Sequence, residues 1–128
     1  MDGPNSISPR NLFDLLDSTS VPLVFDVRRA AAFDADSQML VSAQRGAPDN
    51  VAEWGRQIPA GQHVVVYCVY GHEVSQGVAA ALRESGIEAW YLAGGITGWA
   101  ELGLPLRKKT ETGLPPTRGD RAPWPTPL

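Results

Sequence analysis

Cys68 is the only cysteine in the 128-residue chain, and it stands where a thiol can act as a nucleophile. It ends the apolar run His63-Val64-Val65-Val66-Tyr67, and Gly71 and a helix-like segment from Ser75 to Ser85 follow within a few residues. A strand that stops, a short loop and a helix N-terminus together form an anion site, because the first N–H groups of a helix have no partner inside it. The reactive form of cysteine is the thiolate, and such a site stabilises it. A buried, inert thiol is the alternative, since free cysteine packs well in cores. The strand-end position before a glycine-containing loop favours the nucleophile. Within Val69-Tyr70-Gly71-His72-Glu73-Val74, His72 can donate a hydrogen bond to a ligand or simply be an exposed loop histidine. Glu73 is expected to face water, with His72 or Arg28 as its alternative partners.

The elements that must hold this loop follow from the pattern of the chain. Ser8-Pro9 before Leu12, Phe13, Leu15 and Leu16 predicts a helix with Ser at the N-cap and Pro in the first turn. Val21-Pro22-Leu23-Val24-Phe25 predicts a buried strand that runs into Asp26-Val27-Arg28. The Ala-rich stretch from Arg29 to Phe33 suits a short helix, and Met39-Leu40-Val41 a weakly signalled strand. Asp49 or Asn50 is expected to cap a helix through Trp54 and Gln57. Val78, Ala79 and Leu82 lie at helical spacing, with Gly86 closing that helix at C′. Ala89-Trp90-Tyr91-Leu92 is the last strand, followed by Gly94-Gly95 and a short helix around Trp99.

Helices alternating with continuous apolar strands imply an α/β fold, a parallel sheet covered on both faces. Such sheets bind ligands beyond the C-terminal ends of their strands. Cys68, Asp26 and Arg28 all fall at that end. Trp90 and Trp99 are read as core, and Gly94 and Gly95 as serving backbone geometry beside the site.

Composition narrows the classes of function. The chain is long enough for one domain with a core of four or five strands. Residues 1–106 carry six basic and 12 acidic residues, and residues 107–128 carry five and two. An acidic body argues against nucleic acid as a partner. One cysteine excludes an intramolecular disulfide or a cysteine-based zinc cluster, and two histidines, His63 and His72, are too few for a convincing metal site. Nothing in the sequence calls for a cofactor. No apolar run approaches the ~20 residues of a membrane span, and the N-terminus lacks a signal-peptide pattern. The expected location is the cytoplasm, with no membrane partner. From Arg107 the chain becomes rich in Pro, Gly and Thr, so the expected division is a domain over 1–106 and a disordered tail over 107–128. Trp124 is the tail residue best suited to dock on the body or on a protein partner.

Taken together, these landmarks resemble a single-domain rhodanese, over about residues 6–106. The resemblance rests on Leu23-Val24-Phe25-Asp26-Val27-Arg28, on Val65-Val66-Tyr67-Cys68 with Gly71, and on the helix pattern Ala79, Ala80, Leu82, Gly86. Tyr91-Leu92-Ala93-Gly94-Gly95-Ile96-Thr97-Gly98-Trp99, closing on Gly103-Leu104-Pro105-Leu106, completes it. It implies a central parallel sheet of about five strands with helices on both faces. It also implies a chemistry, in which the loop cysteine takes a sulfane sulfur from a donor such as thiosulfate. Cys68 would hold it as a persulfide and pass it to a thiol or cyanide acceptor. The amides of residues 69–74 would stabilise the anion. Asp26 and Arg28 correspond to an Asp-x-Arg pair that organises the loops around the site, and Ser75 to a serine that closes the loop. Arg45 falls in a region that lines the mouth in rhodaneses, where it would attract an anionic donor or be a plain surface arginine.

The loop departs from the family's usual form. Rhodanese loops commonly place this serine six positions after the cysteine; Ser75 is seven positions on, and the downstream landmarks share the offset. Longer loops occur in the phosphatase and arsenate-reductase relatives, which end the loop with Arg where this chain has Val74. Glu73 stands where many rhodaneses carry Arg. The string Gly71-His72-Glu73-Val74-Ser75-Gln76 is similar to rhodanese-like proteins associated with chromate resistance. The resemblance therefore implies a sulfurtransferase first. An oxyanion enzyme using the longer loop, or a non-catalytic sulfur carrier or binding module, are the alternatives.

Overall fold

A computed structural model describes residues 5–109. The apolar strand runs found above form most of one five-stranded sheet. Its strands are β1 (Ser6–Ile7), β2 (Leu23–Asp26), β4 (Gln44–Arg45), β5 (Val64–Tyr67) and β6 (Ala89–Leu92). They lie in the order β1-β6-β5-β2-β4, and every pairing is parallel. The central strands β2 and β5 are in register as Leu23 with Val64 through Asp26 with Tyr67. They read as unbroken apolar runs because each face of a parallel sheet is covered.

Alternation along these strands builds two cores. Phe25, Val27, Val64, Val66, Ala89 and Tyr91 face one side. There they meet α3 (Val51–Gly55) and α4 (Glu73–Glu84), through Val51, Trp54, Val78, Ala79 and Leu82. Val24, Val65, Tyr67 and Leu92 face the other side, against Leu12 of α1 (Pro9–Leu16) and against Ile96 and Trp99 of α5 (Gly95–Glu101). Trp99 is fully buried, as its reading as core requires, and its indole N–H donates to the Pro105 carbonyl at 2.8 Å. Trp90 is half-buried, edge-on to His63 and under Arg83.

Local signals explain the helix ends. Ser8 Oγ accepts from the Asn11 amide at 3.2 Å, which makes the expected N-cap, and Pro9 occupies the first turn. Gly86, at φ 89°, ends α4 in the left-handed conformation that favours glycine. Two expectations are corrected here. Helix α4 begins at Glu73, two residues before Ser75; an acidic residue in the first turn suits the helix dipole. The helix through Trp54 is short, preceded by a 3₁₀ turn over Pro48–Asn50, and Asn50 makes no side-chain cap.

The weak strand around Leu40 exists as β3 (Gln38–Leu40), outside the main sheet. It pairs antiparallel with β7 (Leu106–Lys108) and packs Met39, Leu40 and Leu106 beneath the α1/α5 core. The division drawn after residue 106 thus falls inside a strand. Arg107 Nη2 donates to the Ala43 carbonyl at 2.7 Å, and the Lys109 amide to the Ser37 carbonyl at 2.8 Å. The rest of the tail, with Trp124, lies outside the described residues. Among the described residues no helix is long and apolar enough to cross a membrane.

Candidate active site

Cys68 leaves the C-terminal end of β5 directly after buried Tyr67 and is itself 6% exposed. Because side chains alternate along the strand, Tyr67 points to the α1/α5 side and Cys68 to the α4 side. There Cys68 Sγ lies 3.2 Å from Ser75 Oγ, which is fully buried in the first turn of α4. Ser75 is the partner this thiol can exchange a hydrogen bond with: acceptor to the thiol, donor to the thiolate.

Between Cys68 and α4 the chain makes a loop whose amides are unused. The N–H groups of residues 69–74 donate to no acceptor among the described residues. His72, the N-cap of α4, supplies no side-chain cap. The carbonyls, by contrast, are tied back. Ile96 N–H donates to the Cys68 carbonyl at 3.0 Å, and Thr97 N–H donates to the Val69 carbonyl at 3.1 Å. The N-terminus of α5 therefore holds the oxygens away from the thiol. This needs backbone in close contact, and the glycines allow it. At Gly71 an added Cβ would lie 2.7 Å from the Leu92 carbonyl and 2.8 Å from the Gly94 nitrogen. At Gly95, φ is 60° and a Cβ would meet the carbonyls of Cys68 and Val69. Gly94 and Gly95 thus serve backbone geometry beside the site, as the sequence indicated.

Asp26 and Arg28 form a buried ion pair behind the loop. Arg28 Nη2 lies 2.7 Å from Asp26 Oδ2, Arg28 Nε donates to the same carboxylate, and so does the Arg28 amide. Tyr67 Oη donates to Asp26 Oδ2 at 2.9 Å while accepting from the Leu40 amide at 3.1 Å. Arg28 also donates to Asp36 and to the Gln38 carbonyl. Burial disfavours its charge, but Asp26 and Asp36 outweigh that and hold its pKa above the ordinary value. Burial, reinforced by the negative charge of Asp26, raises the Tyr67 pKa strongly, so the phenol stays protonated and keeps donating. Burial would raise the Asp36 pKa too; the Gln38 amide and Arg28 reverse this and lower it.

A cleft of about 360 Å³ opens over Cys68, lined by Arg28, Arg29, Ala32, Val69, Tyr70, His72, Glu73 and Val74. Of the loop residues 69–74 singled out in the sequence, all but Gly71 line this cleft; Gly71 packs instead against the backbone of Leu92 and Gly94. Tyr70 is exposed at the rim, its ring 6.1 Å from that of His72. Glu73 pairs with neither His72 nor Arg28. It is 86% exposed and meets Arg29 Nη2 at 3.3 Å.

Arg45 is displaced from the role considered for it. Its Nη1 donates to the carbonyls of Asp26 and Arg28, and its guanidinium lies over the Phe33 ring at 4.2 Å. It braces the end of β2 and does not line the cleft. Arg29, which the sequence reading passed over, is the cation at the rim. The adjacent Arg28-Arg29 pair just beyond β2 was the available signal: Arg28 is buried against Asp26, and Arg29, the N-cap of the next helix, faces out. Among the described residues no cluster of His, Cys, Asp and Glu could hold a metal ion.

Comparison with known proteins agrees with this architecture. Residues 8–102 match the family described as Rhodanese-like domain. A rhodanese-related protein from Thermoplasma volcanium superposes with a TM-score of 0.69 at 20% identity, over 80% of this chain and 97% of that one. A thiosulfate sulfurtransferase from Pseudomonas aeruginosa gives 0.69 at 20% identity, over 81% of this chain and 19% of that one. A protein of unknown function from Rhodopseudomonas palustris, described as a possible tyrosine phosphatase, gives 0.69 at 17% identity, over 80% of this chain and 84% of that one. At these identities the structural likenesses speak for the fold, while the match over residues 8–102 covers most of the sequence: the chain belongs to the rhodanese-like domain family.

Proposed function

We propose that the protein is a sulfurtransferase that carries a sulfane sulfur on Cys68. The observation that supports this most is the set of unpaired amides of residues 69–74 in the loop that follows a strand-end thiol, with Ser75 Oγ at 3.2 Å from Cys68 Sγ. With thiosulfate as donor, the Cys68 thiolate attacks the sulfane sulfur. The donor's S–S bond breaks and sulfite leaves with the electron pair. The product, Cys68-S-S⁻, carries its charge one atom further out, toward the loop amides. Preorganised N–H dipoles stabilise that charge without reorganising. A thiol or cyanide acceptor then attacks the outer sulfur, and the Cys68 thiolate returns. Splitting one transfer into two covalent steps lowers each barrier. The Asp26–Arg28 pair serves by holding the ends of β2 and β5 in place.

The rival reading, an oxyanion enzyme of the phosphatase or arsenate-reductase kind, needs a cation inside the loop. Residues 69–74 contain no Lys or Arg, and Val74 stands at the end of the loop. Intact mass after incubation with thiosulfate tests the proposal. One added sulfur is expected, removed by cyanide and absent in Cys68→Ser. No adduct with any sulfane donor sinks the reading. Cys68-dependent release of phosphate from an aryl phosphate would favour the rival.

A further inference from the structure

We propose that Arg29, held at the rim of the Cys68 cleft by Glu73, selects the anionic end of the incoming ligand, and that Glu73 limits its availability. With thiosulfate as the ligand, this rests on the sulfurtransferase reading and names the residue that would read the donor.

Elimination among Arg28, Arg29, Arg45 and Lys109 leads to Arg29. Arg28 is 2% exposed and its donors are committed to Asp26, Asp36 and Gln38. Arg45 donates to two carbonyls and covers Phe33. Lys109 also sits on the Phe33 ring and donates to the Phe33 carbonyl. Arg29 lines the cleft, is 66% exposed, and has a single side-chain partner, Glu73 at 3.3 Å. An ion pair so exposed contributes only ~0–1 kcal/mol, so a ligand can take Arg29 from Glu73 at little cost.

The base of this side chain is fixed although its tip is free. Arg29 is the N-cap of α2 (Ala30–Ala35), its carbonyl accepts from the Phe33 amide at 2.9 Å, and it follows the buried Arg28 directly. It also stands on a divide. A second hollow of about 240 Å³ shares Arg29 and Val74 with the cleft and is otherwise lined by Pro48, Asp49, Val51, Gly77 and Val78. Asp49 makes that side unfavourable for an anion. The cleft side offers the loop amides. A released Arg29 and a dianionic ligand therefore meet over Cys68.

The sulfonate oxygens of thiosulfate are charged before, during and after sulfur transfer. A contact to them stabilises the ground state and the transition state alike, and so acts on KM rather than kcat. The same contact should also favour any other anionic reagent that reaches Cys68, whether or not it transfers sulfur.

That second consequence gives the test. Alkylation rates of Cys68 by iodoacetate and by uncharged iodoacetamide are compared in wild type, Arg29→Ala, Arg29→Lys, Glu73→Gln and the Arg29→Ala/Glu73→Gln double variant, alongside KM and kcat for thiosulfate. Arg29→Ala is expected to slow iodoacetate roughly three- to tenfold while iodoacetamide stays within about twofold. Arg29→Lys retains most of the selectivity. Glu73→Gln speeds iodoacetate, and the gain disappears in the double variant. KM for thiosulfate should follow the iodoacetate rates at constant kcat. An iodoacetate to iodoacetamide ratio unchanged across the variants overturns the proposal. A ratio that responds as expected in a protein that takes no sulfur from thiosulfate upholds Arg29 as the selector and refutes the donor assignment alone.

Discussion

Replacing Asp26 with Asn removes one charge from a fully buried site and leaves nearly the same shape. Asp26 accepts from the Arg28 amide at 3.0 Å, from Arg28 Nε and Nη2, and from Tyr67 Oη at 2.9 Å. In the variant the amide NH₂ must face one of these donors, and the Arg28 charge keeps only Asp36, at 2.8 Å and 39% exposed. Stranding a buried charge costs ~3–5 kcal/mol, and the remaining Asp36 contact places this case near ~3. Against a typical total of ~5–15 kcal/mol the loss is large but survivable. With a urea slope of ~1–2 kcal/mol per molar, the unfolding midpoint should fall by about 2 M.

Tryptophan fluorescence through a urea titration reads this directly. The second arm is Asp26→Asn/Arg28→Met, which removes the stranded charge as well. Replacing both members of a buried pair is often far milder than removing one, so the double variant should recover more than half of the lost midpoint. Refutation has two forms. A single variant within about 0.3 M of wild type would mean that the pair does not hold β2 to its surroundings. A double variant no better than the single would mean that the cost lies in lost packing and not in the uncompensated guanidinium.

Gly95→Ala forces a methyl group into the carbonyls of Cys68 and Val69 at a positive φ; left-handed strain alone costs ~1–2 kcal/mol. Lowered stability together with a sharp fall in Cys68 alkylation is expected, and alkylation at the wild-type rate would disconnect α5 from the loop. Ser75→Ala removes the hydroxyl 3.2 Å from Cys68 Sγ. One charge-assisted hydrogen bond of ~1.5 kcal/mol or more corresponds to about tenfold slower persulfide formation at little cost in stability; an unchanged rate would mean that Ser75 only packs. The pKa of Asp36 is lowered from 3.8, so its stabilisation is present above 3.8 and is lost as pH falls through the lower folded value. Urea midpoints of wild type and Asp36→Asn should differ at neutral pH and converge well below 3.8; a constant difference would contradict the assigned contacts.

The sheet and the thiol were legible because they are written as continuous signals. Val64 to Tyr67 and Ala89 to Leu92 are apolar runs with turn residues on both sides, and Ser8-Pro9 and Gly86 mark helix ends by chemistry that is local. Ser6–Ile7 and Gln44–Arg45 were not legible. Two residues carry no period, and these strands exist because β6 and β2 present free edges to them. The β3–β7 pair joins residues 66 to 70 positions apart, Leu40 with Leu106 and Gln38 with Lys108, so its register is a tertiary fact. The same distinction divides the site. Cys68, Ser75 and the loop lie within eight consecutive residues, whereas the Arg29–Glu73 pair spans 44 positions and the Tyr67–Asp26 bond 41.

Glu73 first looks like a defect in an anion cradle, a negative charge on a loop that carries no Lys or Arg of its own. The loop does not need one if its dipoles are arranged correctly. The carbonyls of Cys68 and Val69 are drawn off by α5, and the amides of residues 69–74 have nothing else to bind. That leaves those donors free before any ligand arrives, as a preorganised anion site requires. Glu73 starts α4 where a carboxylate suits the helix dipole, and at 86% exposure its charge is largely screened by water. Its partner Arg29 is then kept at the rim rather than in the cradle. A positive charge fixed inside would bind every small anion and hold the departing one. On the proposed reading, a positive charge on a loosely paired arm would attract the donor and let the product go.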